Sequence, residues 1–288
     1  MPDADREFAQ HAFALLREGL AGDRATMRTF AELFATDAVL WLPPTPNTRS
    51  PYRGRDAIAA LLVDFIVPIY KDGLHLTLFQ TLAGENRWLY QFEDRGLRAR
   101  DGSKYENSPV ISLAVRGNEI TGFWEYYGGP QFFRGRFDGA GARGDVDAAA
   151  HQIAIAAFAE LQRGLIGDAA ALDAFLARFA DGARLWFPPT PNTQSPYIGR
   201  SAAEALFRDL LVPMYPQGLH VKCFHVLAGG TRTAFELQSY GRRRDGSEYI
   251  NSPCLCLDIK QGRIEALWEH WGGPGFFEPV GNPEPALR

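Results

Sequence analysis

The chain has 288 residues, of which 46% are apolar and 22% are charged, and this composition is that of an ordinary globular protein. A chain of this length is longer than most domains that fold around a single hydrophobic core. It therefore predicts two domains of about 130–145 residues each. A formal net charge of −4 gives no basic surface for nucleic acid or for an anionic membrane, so we expect neither as a partner.

The first half of the chain is predicted to begin with two helices. Residues 5–20 carry apolar side chains at every third or fourth position, which indicates an amphipathic helix. This helix ends in the motif Gly-Leu-x-Gly-Asp, in which glycine stops the helix and Asp23 can cap the next one. A short strand at 38–42 then leads into a loop that its prolines keep extended.

A third helix and a strand meander complete the first half. The helix is predicted at about 55–67 and stops near Pro68. Alternation of apolar and polar residues predicts four strands, at 74–82, 87–95, 104–116 and 119–127. The last two strands are expected to form a hairpin around Gly117-Asn118.

The whole pattern occurs twice. The loop Trp-Leu-Pro-Pro-Thr-Pro-Asn-Thr of residues 41–48 returns as Trp-Phe-Pro-Pro-Thr-Pro-Asn-Thr, 145 residues later. The offset falls to 144 after one deletion near Gly96, and the copies still align at Trp124-Glu125 and Trp268-Glu269. Solenoid repeats have units of roughly 20–50 residues, so a period this long indicates a duplicated domain.

The glycine-rich stretch of residues 134–146 is predicted to be a linker. It separates domain 1, residues 1–133, from domain 2, residues 147–288. Each domain is expected to be α+β, with its helices against one face of a curved antiparallel sheet.

The cysteines and the N-terminal residues indicate the cellular compartment that we expect for the protein. Cys223, Cys254 and Cys256 are the only cysteines, and neither a disulfide framework nor a zinc site fits their number and spacing. The first residues are charged and lack a signal-peptide core, and no apolar run is long enough to span a membrane. We therefore expect a soluble, cytoplasmic protein.

Several short motifs occur in the same order in both halves. Tyr-x-Gly-Arg-(Asp/Ser)-Ala opens the third helix, Tyr-x-Asn lies in the penultimate strand, and a glycine turn leads to a glutamate flanked by aromatic residues. In this order and spacing the chain resembles the SnoaL-like division of the NTF2-like superfamily, in particular the polyketide cyclases and the phenazine-pathway PhzA/PhzB proteins. The resemblance covers nearly the whole of both halves.

The resemblance implies a fold and a range of functions. The fold is a cone, in which a bent sheet wraps round a helix and leaves an apolar pocket at its open end. Members of the superfamily commonly dimerise through their sheets, so the two fused cones are expected to form an intramolecular pseudo-dimer. The chain would then be a monomer, or two such chains would form a homodimer. The phenazine branch carries a histidine on the third helix, where this chain has Leu61 and Leu206.

Two glutamates, Glu125 and Glu269, are the first candidates for catalysis. Each follows a tryptophan in a strand that should be half buried. A carboxyl group among apolar neighbours has its pKa raised toward the range useful for proton transfer. By resemblance, the matching glutamate of the phenazine proteins faces the pocket.

The register of the last hairpin decides which face Glu125 occupies. A two-residue turn would place Val110 opposite Glu125 and Ile111 opposite Trp124, so that Glu125 would share a face with Ser112. A β-bulge, or a sheet curled enough to cover both faces, would bring the glutamate to the pocket. The alternative is a glutamate at the interface between the two halves.

Other ionisable residues are weaker candidates. Asp64 and Asp209 lie four residues before a proline in the third helix, either as acids at the pocket mouth or as solvated carboxylates. His75 and His220 are the histidines common to both halves, and alternation favours a structural or interface role for them. His270, like His225, has no histidine counterpart in the first half and favours domain 2 as the working half.

Candidate substrate-binding residues are an amide and several aromatic rings. The amides Asn107 and Asn251 either hold a carbonyl or enolate oxygen of the substrate or bridge backbone groups, since a buried amide must be hydrogen-bonded. The aromatic residues form a pocket for a flat substrate or are plain core. They are Trp41, Tyr52, Tyr90 and Trp124 in domain 1 and Trp186, Tyr197, Phe235 and Trp268 in domain 2.

These patterns predict a cofactor-independent enzyme of small-molecule, secondary metabolism, with no metal. It would remove and return a proton beside a carbonyl to isomerise, cyclise or dehydrate an aromatic or polycyclic intermediate. No dinucleotide, phosphate-loop, zinc-protease or serine-hydrolase motif occurs. The alternatives are a non-catalytic binding or scaffold protein for a pathway intermediate, and an epoxide hydrolase that uses a pair of acids.

Overall fold

The computed structural model describes residues 3–45, 48–133, 145–190, 193 and 195–277. These residues fall into two compact units, unit 1 within Met1–Ala142 and unit 2 within Arg143–Arg288. Most of the predicted linker, residues 134–144, lies outside the described residues. None of the helices in the described ranges is both long and apolar enough to cross a membrane.

Unit 1 is a mixed α+β unit. Its helices are α1 (Asp3–Leu20), α2 (Arg24–Glu32) and α3 (Arg55–Ala59), and α3 continues as a π-helical segment (Ala60–Ile66) and a 3-10 turn (Val67–Ile69). Its strands are β1 (Phe34–Trp41), β2 (Tyr52–Arg53), β3 (Tyr70–Ala83), β4 (Arg87–Arg98), β5 (Lys104–Asn107), β6 (Val110–Arg116) and β7 (Glu119–Tyr126).

Unit 2 repeats this order. Its helices are α4 (Ala148–Leu165), α5 (Ala169–Ala177), α6 (Arg200–Ala205) with a π-helical continuation (Leu206–Leu211), and α7 (Val212–Met214). Its strands are β8 (Phe179–Trp186), β9 (Tyr197–Ile198), β10 (Leu219–Gly229), β11 (Arg232–Arg242), β12 (Glu248–Asn251), β13 (Cys254–Lys260) and β14 (Arg263–His270).

The strands of each unit pair in the same way. In unit 1 the order is β2-β1-β7-β6-β4-β3, with β5 also paired to β4. In unit 2 the order is β9-β8-β14-β13-β11-β10, with β12 also paired to β11. All these pairs are antiparallel except β1 with β7 and β8 with β14, where the first strand of each unit pairs in parallel with the last. The α+β class expected from the sequence is confirmed.

The helix starts follow the predicted capping. Asp23 accepts hydrogen bonds from the backbone N–H groups of Ala25 and Thr26, at 2.9 and 3.1 Å. Asp168 caps α5 in the same way through the N–H of Ala171, at 2.9 Å. These bonds satisfy donors that the first turn of a helix leaves free.

Two local predictions were wrong. The third helix is regular only to Ala59 and then widens into a π-helix, which the apolar periodicity does not reveal. The predicted strand 104–116 is interrupted at Ser108-Pro109, so that β5 and β6 pair with β4 separately. Proline has no N–H to donate to the ladder, and its carbonyl accepts instead from the N–H of Phe92.

In each unit the first helix packs on the sheet through stacked aromatic rings. In unit 1 the ring of Phe13 in α1 stacks on that of Tyr90 in β4, with centroids 4.2 Å apart. In unit 2 Phe158 and Phe235 stack in the same way at 4.3 Å. The Tyr90 hydroxyl also donates to the backbone carbonyl of Ala9, at 2.7 Å. Tyr90 thus fixes helix to sheet, which corrects the expectation that it binds substrate.

We predict that replacing Tyr90 with Phe lowers the free energy of unfolding by about 1 kcal/mol, the usual contribution of one buried hydrogen bond. Denaturation in urea, followed by circular dichroism, measures the difference. Tyr52→Phe is the matched control, since the Tyr52 hydroxyl bonds an exposed N–H and its loss should cost under about 0.5 kcal/mol. Equal stability of Tyr90→Phe and the wild type would show that the Ala9 contact contributes nothing.

Candidate functional site

A one-residue bulge in the last hairpin orients the candidate glutamates. The two-residue turn is present, since Arg116 pairs with Glu119 and Val115 with Ile120, but the register shifts by one residue beyond it. As a result Glu125 lies opposite Ile111 rather than Val110. The simple register expected from the turn is therefore wrong, and the bulged alternative occurs.

The same bulge occurs in unit 2 and has the same effect. Lys260 pairs with Arg263 at the turn, and the shift that follows brings Glu269 opposite Leu255. Because successive side chains of a strand point to opposite faces, Glu269 shares its face with Leu267. Both glutamates thus point to the side of the sheet on which the helices pack.

Unit 2 contains a cavity on this side of its sheet. Its volume is about 70 Å³, and the carboxyl of Glu269 is part of its wall. The other polar lining residues are Gln162, Tyr215, Ser239 and Tyr249. The remaining lining side chains are mostly apolar and come from α4, the π-helical segment and the sheet: Phe158, Leu161, Leu165, Phe187, Phe207, Leu211, Leu219, Val221, Leu237, Pro253, Leu255 and Leu267.

Burial raises the pKa of Glu269 to about 7. The Glu269 side chain is half-buried, and its exposed part faces the cavity. The carboxylate is therefore held away from bulk water. The indole Nε1 of Trp271 donates a hydrogen bond of 2.5 Å to Oε1 of Glu269 and lowers the pKa in part. This bond also fixes the carboxyl, because an indole N–H has a single direction of donation.

Two phenols complete the polar part of the cavity. Burial raises the pKa of both Tyr215 and Tyr249, and the charge of Glu269 adds to this, so both remain protonated donors. Asn251 donates to the Tyr249 hydroxyl at 3.4 Å and accepts from the N–H of Ser252 at 2.9 Å. Asn251 is therefore placed to position Tyr249 rather than to line the cavity itself.

Unit 1 holds an equivalent but different cluster. Burial raises the pKa of Glu125 to about 7. Tyr70 and Tyr105 occupy the positions that match Tyr215 and Tyr249 of unit 2. The ring centres of Tyr70 and Tyr105 are 5.3 Å apart. Asp94 stands where unit 2 has Ser239, and its pKa is raised well above its usual value by burial and by the charge of Glu125.

The structure places the helix aspartates at the surface. Asp64 has 65% of its side chain exposed and forms an ion pair with Arg24 at 2.8 Å. Asp209 is exposed as well. The expectation of an acid at the pocket mouth is therefore corrected: the π-helical turn points these side chains to solvent.

The three candidate histidines lie away from the cavity. His75 is exposed, and His220 stacks on Tyr240 at 5.0 Å. His270 is fully buried but follows Glu269 directly, so it points to the opposite face, in register with Cys254. Strand alternation thus excludes His270 from the cavity that Glu269 lines.

The tryptophans also lie on the opposite face from the glutamates. Trp41 pairs with Trp124, and Trp186 with Trp268, in the parallel ladders. The guanidinium of Arg87 lies 3.9 Å from the Trp124 ring centre, and that of Arg232 lies 4.3 Å from the Trp268 ring centre. The prediction that these four rings line the pocket is therefore wrong.

The remaining aromatic candidates pack against other apolar side chains of their own units. Tyr197 packs edge-on against Phe187, a lining residue, at 6.1 Å. Tyr52 packs against the core of unit 1. Among the described residues, no group of three or more His, Cys, Asp or Glu side chains is placed to hold a metal ion.

Sequence reasoning missed most of the polar groups around the glutamates. Gln162, Ser239 and Trp271 stood in no motif. Asp94 could have been found, because it continues the alternation of Tyr90 and Phe92 on the apolar face of β4. An aspartate on such a face is the signal of a functional or paired carboxyl.

Comparison with solved structures finds the same kind of protein that the sequence motifs resemble. An NTF2-like protein from Anabaena variabilis is 23% identical, with a TM-score of 0.40, over 44% of this chain and 91% of its own. A candidate SnoaL-like polyketide cyclase from Jannaschia is 10% identical, with a TM-score of 0.37, over 44% of this chain and 88% of its own. A candidate polyketide cyclase from Xanthomonas campestris is 18% identical, with a TM-score of 0.35, over 43% and 92%. Each match has about the length of one copy of the repeat, and at these identities the likeness concerns the fold alone.

No protein-family model matches the chain, and no curated protein does so significantly.

We predict that Glu269 makes the protein less stable as the pH rises. Its pKa is about 7 in the folded chain and near its usual 4.5 when unfolded, so its contribution is complete below pH 4.5 and is lost as the pH passes 7. One pKa unit corresponds to about 1.4 kcal/mol, so the loss should be on the order of 3 kcal/mol. Glu269→Gln should remove this part of the pH dependence of the unfolding free energy, whereas the exposed Glu248→Gln should leave it unchanged.

We also predict that Trp271→Phe raises the pKa of Glu269 above 7, because the carboxylate loses the indole donor that opposes the effect of burial. Carboxyl ¹³C chemical shifts followed over pH report the value directly. Tyr127→Phe, at the matching position of unit 1, is the control and should not move the Glu269 titration. A pKa that is unchanged or lower in Trp271→Phe contradicts the assigned hydrogen bond.

Proposed function

We propose that this chain is a cofactor-independent enzyme of small-molecule metabolism that moves a proton next to a carbonyl group. The observation that carries the proposal is the Glu269 carboxyl, which lines a mainly apolar cavity where burial raises its pKa to about 7. A group whose pKa lies near the ambient pH can both accept and return a proton efficiently. Isomerisation, cyclisation and dehydration of carbonyl compounds all require such a group.

In the proposed reaction the Glu269 carboxylate removes a proton from the carbon beside the substrate carbonyl. The electron pair of the broken C–H bond forms a C=C bond, and negative charge develops on the carbonyl oxygen as an enolate. The hydroxyls of Tyr215 and Tyr249 line the same cavity and stay protonated, so they can donate hydrogen bonds to that oxygen. Protonated Glu269 then returns the proton, either to another carbon of the substrate or to a departing hydroxyl group.

The positioning of these groups supports the proposal. Trp271 holds the Glu269 carboxyl through a hydrogen bond of 2.5 Å, and Asn251 bonds the hydroxyl of Tyr249 at 3.4 Å. Base and oxyanion donors are thus fixed before a substrate arrives, and such preorganisation is a main source of rate enhancement. In unit 1, Glu125 is proposed to act as the corresponding base, with Tyr70 and Tyr105 as donors.

The cavity indicates what kind of substrate group reacts. Sites for whole drug-sized ligands have volumes of roughly 300–1,000 Å³, whereas this cavity has about 70 Å³. Phe158, Phe187 and Phe207 in its wall favour a flat, apolar group. We therefore propose that one ring of an aromatic or polycyclic intermediate of secondary metabolism enters the cavity, while the rest of the molecule stays at its mouth.

The state of the cysteine thiols supports a proposal for the cellular compartment of the protein. All three cysteines are free. Free buried thiols fit a reducing compartment, and we propose the cytoplasm.

We predict that Glu269→Gln, made in a Glu125→Gln background so that only unit 2 can supply the base, lowers the rate of α-proton removal by about 10²–10⁴-fold, the range that a positioned base contributes. Exchange of the α-protons of cyclohexanone in D₂O, followed by NMR, measures this step without knowledge of the natural substrate. The double variant Glu125→Gln/Glu269→Gln should show no exchange above the buffer rate. Glu248→Gln removes an exposed carboxyl on the same unit and is the control.

Exchange at the wild-type rate in the double variant would contradict the proposal. It would instead favour the alternative of a protein that binds a pathway intermediate without chemistry. Circular dichroism on each variant shows whether a lost rate reflects the missing carboxyl or an unfolded chain.

A further inference from the structure

Unit 1 carries a second interior carboxyl that unit 2 lacks. Asp94 lies in β4 opposite Asn107 in β5 and is only 4% exposed. The matching position of β11 is Ser239, which lies opposite Asn251. The two units therefore place groups of different charge at the same point of the same fold.

The polar groups around this position are satisfied in unit 2. The side-chain oxygen of Asn251 accepts from the N–H of Ser252, and its nitrogen donates to the Tyr249 hydroxyl. Ser239 Oγ donates to the backbone carbonyl of Asn251 at 3.4 Å. At this point of unit 2, Ser239 and Asn251 therefore need no charged ligand to satisfy their hydrogen bonds.

The corresponding groups of unit 1 are only partly satisfied. Backbone N–H groups of Asp94 and Asn107 bond the Asp94 carboxyl. Among the described residues, however, Oδ1 of Asp94 and both polar side-chain atoms of Asn107 have no hydrogen-bond partner, although all three atoms are buried. Asn107 is fully buried, so bulk water does not replace the missing partner. Buried polar groups without partners are rare and costly, and their presence points to a group that the site is built to receive.

The nearest cations are engaged elsewhere. Arg98 lies 5.2 Å from the ring centre of Tyr105 and donates to Ser103 Oγ at 3.3 Å. Arg95 pairs at 2.6 Å with Glu93, which neighbours Asp94 on the strand and so points to the other face. The interior carboxyls, Asp94 and Glu125, are therefore left with aromatic rings and an amide as neighbours.

We propose that unit 1 binds the primary ammonium group of a small organic molecule between Asp94 and Glu125, and that unit 2 accepts only neutral ligands at the matching point. An ammonium group supplies three N–H donors and one positive charge. Those donors match the two unsatisfied oxygens, on Asp94 and Asn107, and the carboxylate of Glu125. The rings of Tyr70 and Tyr105 add the attraction of a cation to an aromatic face. This site does not depend on proton transfer at Glu269. In unit 1 it overlaps the groups proposed for proton transfer, so a bound ammonium would block proton removal by Glu125.

The test uses benzylammonium chloride as the ligand and benzyl alcohol as its neutral isostere, each titrated calorimetrically into the full chain. We expect one benzylammonium site per chain and at least tenfold weaker binding of benzyl alcohol. Asp94→Asn, which keeps the shape and removes the charge, and Asp94→Ser, which introduces the residue of unit 2, should each weaken benzylammonium binding at least tenfold.

The two glutamates provide a matched pair of variants. Glu125→Gln should weaken benzylammonium binding at least tenfold, whereas Glu269→Gln should leave it unchanged. Unchanged binding in Asp94→Asn, or an equal loss in both glutamate variants, would overturn the proposal. So would equal affinities for the ammonium and the alcohol, or no binding of benzylammonium at all. The last result is expected if a proton on Asp94 simply bridges to Asn107.

The pH dependence gives a second readout. Burial raises the pKa of both carboxyls in the free protein, so at pH 6 a bound ammonium must displace protons. Tyr70, Tyr105 and Tyr127, which also face the site, stay neutral because burial raises their pKa. The guanidinium of Arg98 lies beside the Tyr105 ring. Affinity should therefore rise from pH 6 to pH 8, with proton release that declines over the same range. An affinity that is flat or falls over this range would contradict the proposal.

Discussion

The whole arrangement depends on one extra residue in the last hairpin of each unit. The register of the β6–β7 pair shifts by one residue between Ala114 and Val115. Without this shift, Glu125 would lie on the face that Trp124 now occupies, and Trp124 would lie on the helical side. The bulge therefore selects which residue type enters the interior: a carboxyl instead of an indole. Desolvation of that carboxyl then raises its pKa, and this is what gives the interior acid–base character. Backbone register thus decides which carboxyl is buried.

The two units provide an internal comparison, since their helices and strands follow the same order. Both units keep the glutamate, a pair of tyrosines and an asparagine, while the residue at the position of Asp94 changes to Ser239 and that of Tyr127 to Trp271. In unit 2 Trp271 adds a donor to the glutamate, and the side-chain oxygen of Asn251 accepts from Ser252. In unit 1 Oδ1 of Asp94 and the amide atoms of Asn107 have no partner among the described residues. The two interiors share a buried glutamate but differ in the charge that they offer a ligand.

Sequence patterns predicted the parts of the structure that depend on local chemistry. The repeat, the α+β class and the Asp23 cap follow from periodicity and from capping preferences, which act over a few residues. The bulge could not be predicted in this way, because both registers satisfy the same turn at Gly117-Asn118 and only packing against the helices separates them. The Trp124 and Trp268 assignments failed for that reason. Asp94 was visible in principle, since strand alternation beyond Phe92 already places it on the apolar face.

The cost of the glutamates argues that they have a function. A carboxyl with a pKa raised to about 7 destabilises the folded chain at neutral pH relative to a neutral side chain of the same size. Glutamine would keep the shape and much of the hydrogen bonding without that penalty. Yet both copies retain the acid, although many core positions around it differ, such as Phe92 against Leu237. A purely structural role would have been served as well or better by the amide. Retention of the titratable group in both units therefore supports the proposal that its proton is used.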